Sequence, residues 1–377
     1  MPANKRHHFV PHFYLKRFSQ DGKSINIFNI SKQKLILGGK LKTQCIRDYL
    51  YGKEPEFEHH LADLEGIAST IISRITDTAF FPNRHSQEWI DLLLFILVQS
   101  SRTVASISDL DQMTDRLLKR VLSHESKFSD FDPSRFTIRM TESSKLAVSY
   151  MAMALPLAAD LSLKILRSST PNAFICSDNP IVFYNQLFED NSSHSYCGIA
   201  SKGLQVFVPI SPRVILCFYD KKTYHVGSPD DRQVLVLRSS DVDQLNGLQY
   251  VSADENIYFC GSFLESLPIR LASFRRKERT KTEIFGEHGD EREGGEFIAT
   301  SRQDIRTALS LSFIRLTKHA REFYRHFTSL TSRPVVVPRD SVILESHERF
   351  MEEMREEHRK LREKRHQDSG APYSCIR

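Results

Sequence analysis

The chain has 377 residues, of which 40% are hydrophobic and 26% charged, an ordinary globular balance with enough length to bury a substantial core. Its net charge of +5 is compatible with a polyanionic partner without indicating one. Six scattered cysteines with no Cys-x-x-Cys pair argue against a structural zinc site. The start shows no secretory signal, and the most apolar run, residues 90–98, is half the length needed to cross a bilayer and contains Asp91. The expectation is a cytoplasmic protein with free thiols and no membrane association.

Residues 7–19 combine two adjacent histidines, a proline and several aromatics, too apolar for a solvated terminus. Pro11 suits a helix start, and Tyr14 and Phe18 then share a face, so His7 and His8 fall in the extended segment leading into a short helix. The first fifty residues carry ten Lys or Arg against Asp21 and Asp48. A solvated surface accounts for them; a rim attracting phosphate groups is the sharper reading. Residues 24–37 alternate polar and apolar around a turn and predict a hairpin, while 46–51 is a short element of open type.

Residues 57–75 carry a helical stripe of Leu61, Leu64, Ala68, Ile71, Ile72 and Ile75. Glu58 and Glu65, seven apart, border that stripe on one side, where a carboxylate is paired, functional, or reaching for water. Residues 87–105 predict a helix apolar nearly all round, which belongs in the middle of a fold. Gln99 and Arg102 interrupt it. A buried arginine needs an anionic partner, and Glu58, Glu65 and Asp178 are the candidates; at a helix end Arg102 could instead be exposed. A further amphipathic helix is expected over 108–122, then one long apolar helix over 141–167, with Pro156 marking a kink or break.

The pattern then turns to strands: 173–176 and 181–184 around Ser177-Asp178-Asn179-Pro180, a hairpin of 204–209 with 214–219, and 234–237. Asp178 and Asn179 fit a backbone-binding turn as readily as a site. A helix from Ser240 contains the polar Asn246, and 257–260 is expected to close the sheet. Residues 281–299 have a linker composition, with helix expected over 300–327 and a charged helix of mixed sign over 347–365.

His7-His8-x-x-Pro11-x-x-Tyr14-Leu15-x-x-Phe18 resembles the opening signature of a large bacterial family known only as a domain of unknown function. Glu58-x-x-Leu61-x-x-x-Glu65, Gln99-x-x-Arg102-Thr103, Ser177-Asp178-Asn179-Pro180, Pro209-Ile210-Ser211-Pro212 and Leu245-Asn246 resemble further pieces of it in the same order. The resemblance covers roughly residues 5–260. It implies a set of residues and no chemistry.

The expected fold is α+β: a helical layer from the first half on a mainly antiparallel sheet from the second, with residues 1–280 as one domain and 300–377 as a helical extension. His7, His8, Glu58, Glu65, Arg102 and Asp178 are the candidate catalytic residues, and Gln99, Asn179 and Asn246 the candidate binding residues. His8, Glu58, Glu65 and Asp178 are the candidate ligands of a divalent metal. The leading expectation is a hydrolase acting on a phosphodiester, a nuclease among the options, with nucleic acid or a nucleotide as partner. The alternative is a ligand-sensing or protein-interaction module in which the same residues form a structural network and the charged C-terminal helix meets a protein partner.

Overall fold

The computed structural model describes residues 5–78, 80–124, 132, 135–189, 196–261, 267–274, 307–330 and 337–369. The chain opens with β1 (Arg6–His8), α1 (His12–Lys16), the hairpin β2 (Ser24–Asn29) and β3 (Lys34–Lys40), and β4 (Ile46–Asp48). Helices follow: α2 (Glu56–Asp77), α3 (Gln87–Ser101), α4 (Val104–His124), α5 (Ser143–Met153) and the short α6 (Leu155–Ala158). Next come β5 (Ser162–Ser168), β6 (Cys176–Ser177), β7 (Val182–Tyr184), β8 (Gln205–Ser211), β9 (Val214–Tyr219), β10 (Tyr224–Val226) and β11 (Gln233–Val236). The chain ends with α7 (Ser239–Ser252), β12 (Asn256–Phe259), α8 (Leu267–Leu271), β13 (Ile314–Leu316), α9 (Lys318–Leu330) and α10 (Ser341–Ser369).

The fold is α+β, with a five-stranded sheet in the order β11-β5-β9-β8-β7 at its centre. Only the β11–β5 pair is parallel. β8 and β9 are buried along their whole length apart from Ser211, because both faces of the sheet are covered, and a strand covered on both sides needs a continuous apolar run. Val206, Val208, Leu216 and Phe218 face the helices of the first half, packing with Ile71, Ile72, Trp89, Leu92 and Ile96. Phe207, Ile215 and Cys217 point the other way, into a second cluster with Val242 and Leu245 of α7, Ile314 of β13 and Phe327 of α9.

Four expectations change. Residues 162–168 are strand β5, not the end of a long helix: α6 stops at Ala158, and the chain crosses into the sheet against β9. Over so short a stretch the apolar positions Leu163, Ile165 and Leu166 do not by themselves tell a buried helix from a central strand. β12 joins a second, antiparallel sheet, β3-β2-β12-β6, so the amino-terminal hairpin and the end of the family-like region share one sheet. The helix expected over 108–122 starts at Val104, after a 62° bend from α3. Within 300–327, Ile314–Leu316 is a strand paired with β10. The linker expected at 281–299 lies outside the described residues. Among the described residues no single helix is long and apolar enough to cross a membrane; α3 and α4 together have the length but are bent, and α3 is a core helix.

Candidate functional site

The site grows from the two-stranded ribbon of β1 and β4, in which His7 lies opposite Arg47 and His8 opposite Ile46. Successive strand residues point to opposite sides. His7 is accordingly buried, with 2% exposure, while His8 is half-buried. The ribbon is held to the core by its neighbours: Phe9 N–H donates to the Cys45 carbonyl, and the Tyr14 hydroxyl donates to the Pro209 carbonyl.

Arg102 comes from the end of α3. The Ser100 and Ser101 hydroxyls bond back to the Leu97 and Val98 carbonyls, and the Thr103 hydroxyl accepts the Ser106 N–H at the head of α4. The helix therefore breaks at Arg102. Its side chain does not reach solvent; the residue is 2% exposed. Nε donates to the Tyr51 hydroxyl at 2.9 Å, Nη1 to Glu65 Oε1 at 2.6 Å, and Nη2 to the His8 carbonyl at 2.6 Å. The Glu65 and Tyr51 partners outweigh burial and hold the guanidinium above its ordinary basicity.

Tyr51 is the hub that sequence reasoning missed. Its ring stacks on His7 with centroids 5.5 Å apart, and its backbone N–H donates to His7 Nδ1 at 3.2 Å. An accepting Nδ1 places the proton of a neutral His7 on Nε2, which lies 3.5 Å from Glu58 Oε2. Glu58 and Glu65, one side of α2, keep 27% and 24% of their side chains exposed. They thus have their inner oxygens on His7 and Arg102 and their outer surface in water.

His8 differs from this saturated set. Its Nε2 is covered yet has no hydrogen-bond partner among the described residues. Burial, then the neighbouring His12, Arg102 and Arg6, push its pKa below the ordinary 6.5, so the imidazole is neutral at pH 7.

The remaining candidates serve the backbone. Both oxygens of Asp178 accept N–H groups, from Asp254 at 2.7 Å, Glu255 at 2.7 Å and Asn256 at 2.8 Å. Burial pushes its carboxyl up to about 6, against the pull of those donors. Asn179 Nδ2 donates to the Ser252 carbonyl and hydroxyl, and its Oδ1 lies 3.1 Å from the Thr103 hydroxyl. Asn246 bridges the Ile175 N–H and the Ala173 carbonyl. Gln99 donates to the Phe9 carbonyl at 2.9 Å. His7, His8, Glu58, Glu65 and Arg102 are therefore one connected cluster. Gln99 and Asn179 brace it from behind, and Asn246 fastens α7 to the segment before β6.

The expected metal set of His8, Glu58, Glu65 and Asp178 is not assembled. Among the described residues no group of three or more His, Cys, Asp or Glu side chains is placed to hold a metal ion. The reason is local: the Asp178 carboxylate is spent on the 254–256 backbone, and Glu65 on Arg102.

No curated protein and no solved structure matches the chain. A family model described as "Protein of unknown function (DUF4238)" matches residues 6–263, a stretch that contains the whole cluster and its braces. With well over half of its length under that match, the chain belongs to this family of proteins of unknown function.

Proposed function

We propose that the chain is a hydrolase acting on a phosphodiester in nucleic acid or a nucleotide, with His8 as the general base. The observation that carries the reading is His8 itself: a neutral imidazole with a covered, unpartnered Nε2, beside a fully buried guanidinium. Buried polar atoms are nearly always paired, and the exceptions concentrate where chemistry is done. Nε2 would take the proton of a water as its oxygen forms the new bond to phosphorus, and the resulting imidazolium would return that proton to the leaving alkoxide as the old phosphorus–oxygen bond breaks. His7 and Arg102 are positioning residues: His7 holds Glu58, and Arg102 holds Glu65 together with the backbone carbonyl of the base. The five free thiols described fit the reducing cytoplasm as its setting. The His7 to Phe18 motif would then be the signature of a bacterial family built around this base.

A second reading has its own support. Arg102 is satisfied by three acceptors, as expected of a structural network in a ligand-sensing or protein-interaction module. The test is cleavage of single- and double-stranded oligonucleotides and of mononucleotides by the purified chain, with and without magnesium or manganese. His8→Ala and His8→Gln are run beside it, each with a melting curve. Cleavage lost in both variants at unchanged melting temperature supports the hydrolase. No cleavage of any substrate by the native chain removes it and leaves the sensing module.

A further inference from the structure

A cleft of about 450 Å³ opens where the start of β5 and the end of β9 meet β10 and the segment leading to β11, a volume in the range of small-molecule sites. It shares no residue with the His8 cluster. Phe81, Tyr224, Val226 and Pro229 supply apolar wall, and Ser162, Lys164 and Tyr219 line it with polar groups.

Those three polar groups come from one face of the sheet. Ser162 and Lys164 are two apart on β5 and so point the same way. Tyr219 lies directly opposite Ser162 on β9, and the side chains of such a cross-strand pair share a face.

Lys164 is the unusual member. It is 5% exposed, and a lysine this buried is nearly always paired with an acid. Lys164 forms no ion pair among the described residues. Its Nζ donates to the Ser228 carbonyl at 2.7 Å and to the Asp231 carbonyl. An ammonium has three donors, so one remains. Burial pushes this group below the usual lysine range, against the pull of Asp231 and Asp230, which stand exposed at the rim. The Ser162 and Tyr219 hydroxyls also have no hydrogen-bond partner among the described residues. Burial, with Cys217 beside it, pushes Tyr219 up to about 12, so its hydroxyl remains a donor at neutral pH. A lysine that merely fastened the 228–231 segment would explain two bonds, not three uncommitted donors along one wall.

Three donors suit an anion with three terminal oxygens, which a phosphate monoester has and a carboxylate lacks. At the rim Lys221 and Arg232 are exposed, and the Arg232 guanidinium sits 5.1 Å over the Phe81 ring. With Lys164 they outnumber Asp230 and Asp231 among the charges lining the cleft.

We propose that this cleft binds a small phosphate monoester with an apolar body, its phosphate on Ser162, Lys164 and Tyr219 and its body against Phe81 and Val226. The proposal is independent of the hydrolase reading, which concerns a diester at other residues. Calorimetric titration of the full chain with phenyl phosphate tests it, with benzoate as the carboxylate of matching body. The native chain binds phenyl phosphate with a dissociation constant below about 1 mM and benzoate at least about tenfold more weakly. Tyr219→Phe and Ser162→Ala, which keep the fold as judged by unchanged melting temperatures, each weaken phenyl phosphate about tenfold, the size of a hydrogen bond to a charged group. His8→Ala binds it as the native chain does. A native chain that takes up no phenyl phosphate overturns the proposal, as do folded Tyr219→Phe and Ser162→Ala chains that bind it undiminished. Binding lost in His8→Ala overturns it by placing the anion at the other site, and benzoate bound as tightly as phenyl phosphate overturns the choice of a phosphate.

Discussion

Replacing Arg102 by methionine tests the central claim about the site, that one guanidinium holds the ribbon, α2 and α3 together. Methionine keeps most of the volume and removes every donor. The loss strands the Tyr51 hydroxyl and the His8 carbonyl, both previously bonded at 2.9 Å or less. Leaving buried partners of this kind unpaired costs about 1–3 kcal/mol each. Glu65 is stranded too, but with 24% of its side chain exposed it rehydrates, and its share is discounted to under about 1 kcal/mol. The sum is roughly 4 kcal/mol, in the range for breaking a buried ion pair from one side. For a chain of 377 residues the unfolding entropy is about 0.8 kcal/mol per degree, so the melting temperature falls by about 5 °C. Thermal denaturation followed by far-ultraviolet circular dichroism reads this directly. A shift under about 1 °C would refute the reasoning, since the Tyr51 hydroxyl and the His8 carbonyl would then have lost their donor at no cost.

Three further outcomes follow from the same coordinates. The Asp178 carboxyl lies at about 6 in the fold against 3.8 ordinarily, so folding takes up a proton; its contribution is full below pH 3.8 and is lost as pH rises through 6. This group alone should make the chain about 1 kcal/mol less stable at pH 7 than at pH 5, and urea unfolding of Asp178→Asn should lack that increment. If hydrolysis is found, the acid limb of kcat/KM should fall below pH 6.5, because burial and neighbouring cations depress His8, and a limb above that value would remove His8 as the base. Arg339 donates to both Asp160 oxygens and to the Leu157, Ile199 and Ser201 carbonyls, so Arg339→Met should cost about 3–5 kcal/mol and open residues beyond it to limited proteolysis.

The periodic parts of the chain were legible without coordinates. The stripe of α2, the apolar run of α3 and the β8–β9 hairpin follow from spacing alone. Position in sequence was a poorer guide to β5 and β12. The first is a strand of only seven residues whose apolar positions, Leu163, Ile165 and Leu166, fit a helix face as well as a strand, and the second pairs with a hairpin more than two hundred residues away. Tyr51 was invisible for a different reason. It follows a three-residue strand, where no period can develop, and its role depends on a hydroxyl and an N–H meeting partners from β1 and α3. Arg102 could be flagged as a cation in an apolar helix, but burial and helix end, which looked like alternatives, turn out to coincide.

That coincidence explains how the cluster combines order with an unsatisfied atom. A guanidinium inside the helix would project sideways among leucines; at the break between α3 and α4 it can fold back under the ribbon and take a backbone carbonyl from His8. Holding that carbonyl fixes the strand on which the imidazole is mounted. The same cation, with burial and His12, keeps the imidazole uncharged. Tyr51 completes the arrangement from the far side by setting the tautomer of His7 and, through it, the direction of Glu58. Among the described residues the polar atoms of the cluster and its braces that stay covered without a partner are His8 Nε2 and, behind it, Gln99 Oε1. A purely structural network gains nothing from such a remainder, which costs free energy as long as it is buried. The remainder makes physical sense if something else arrives to bond it.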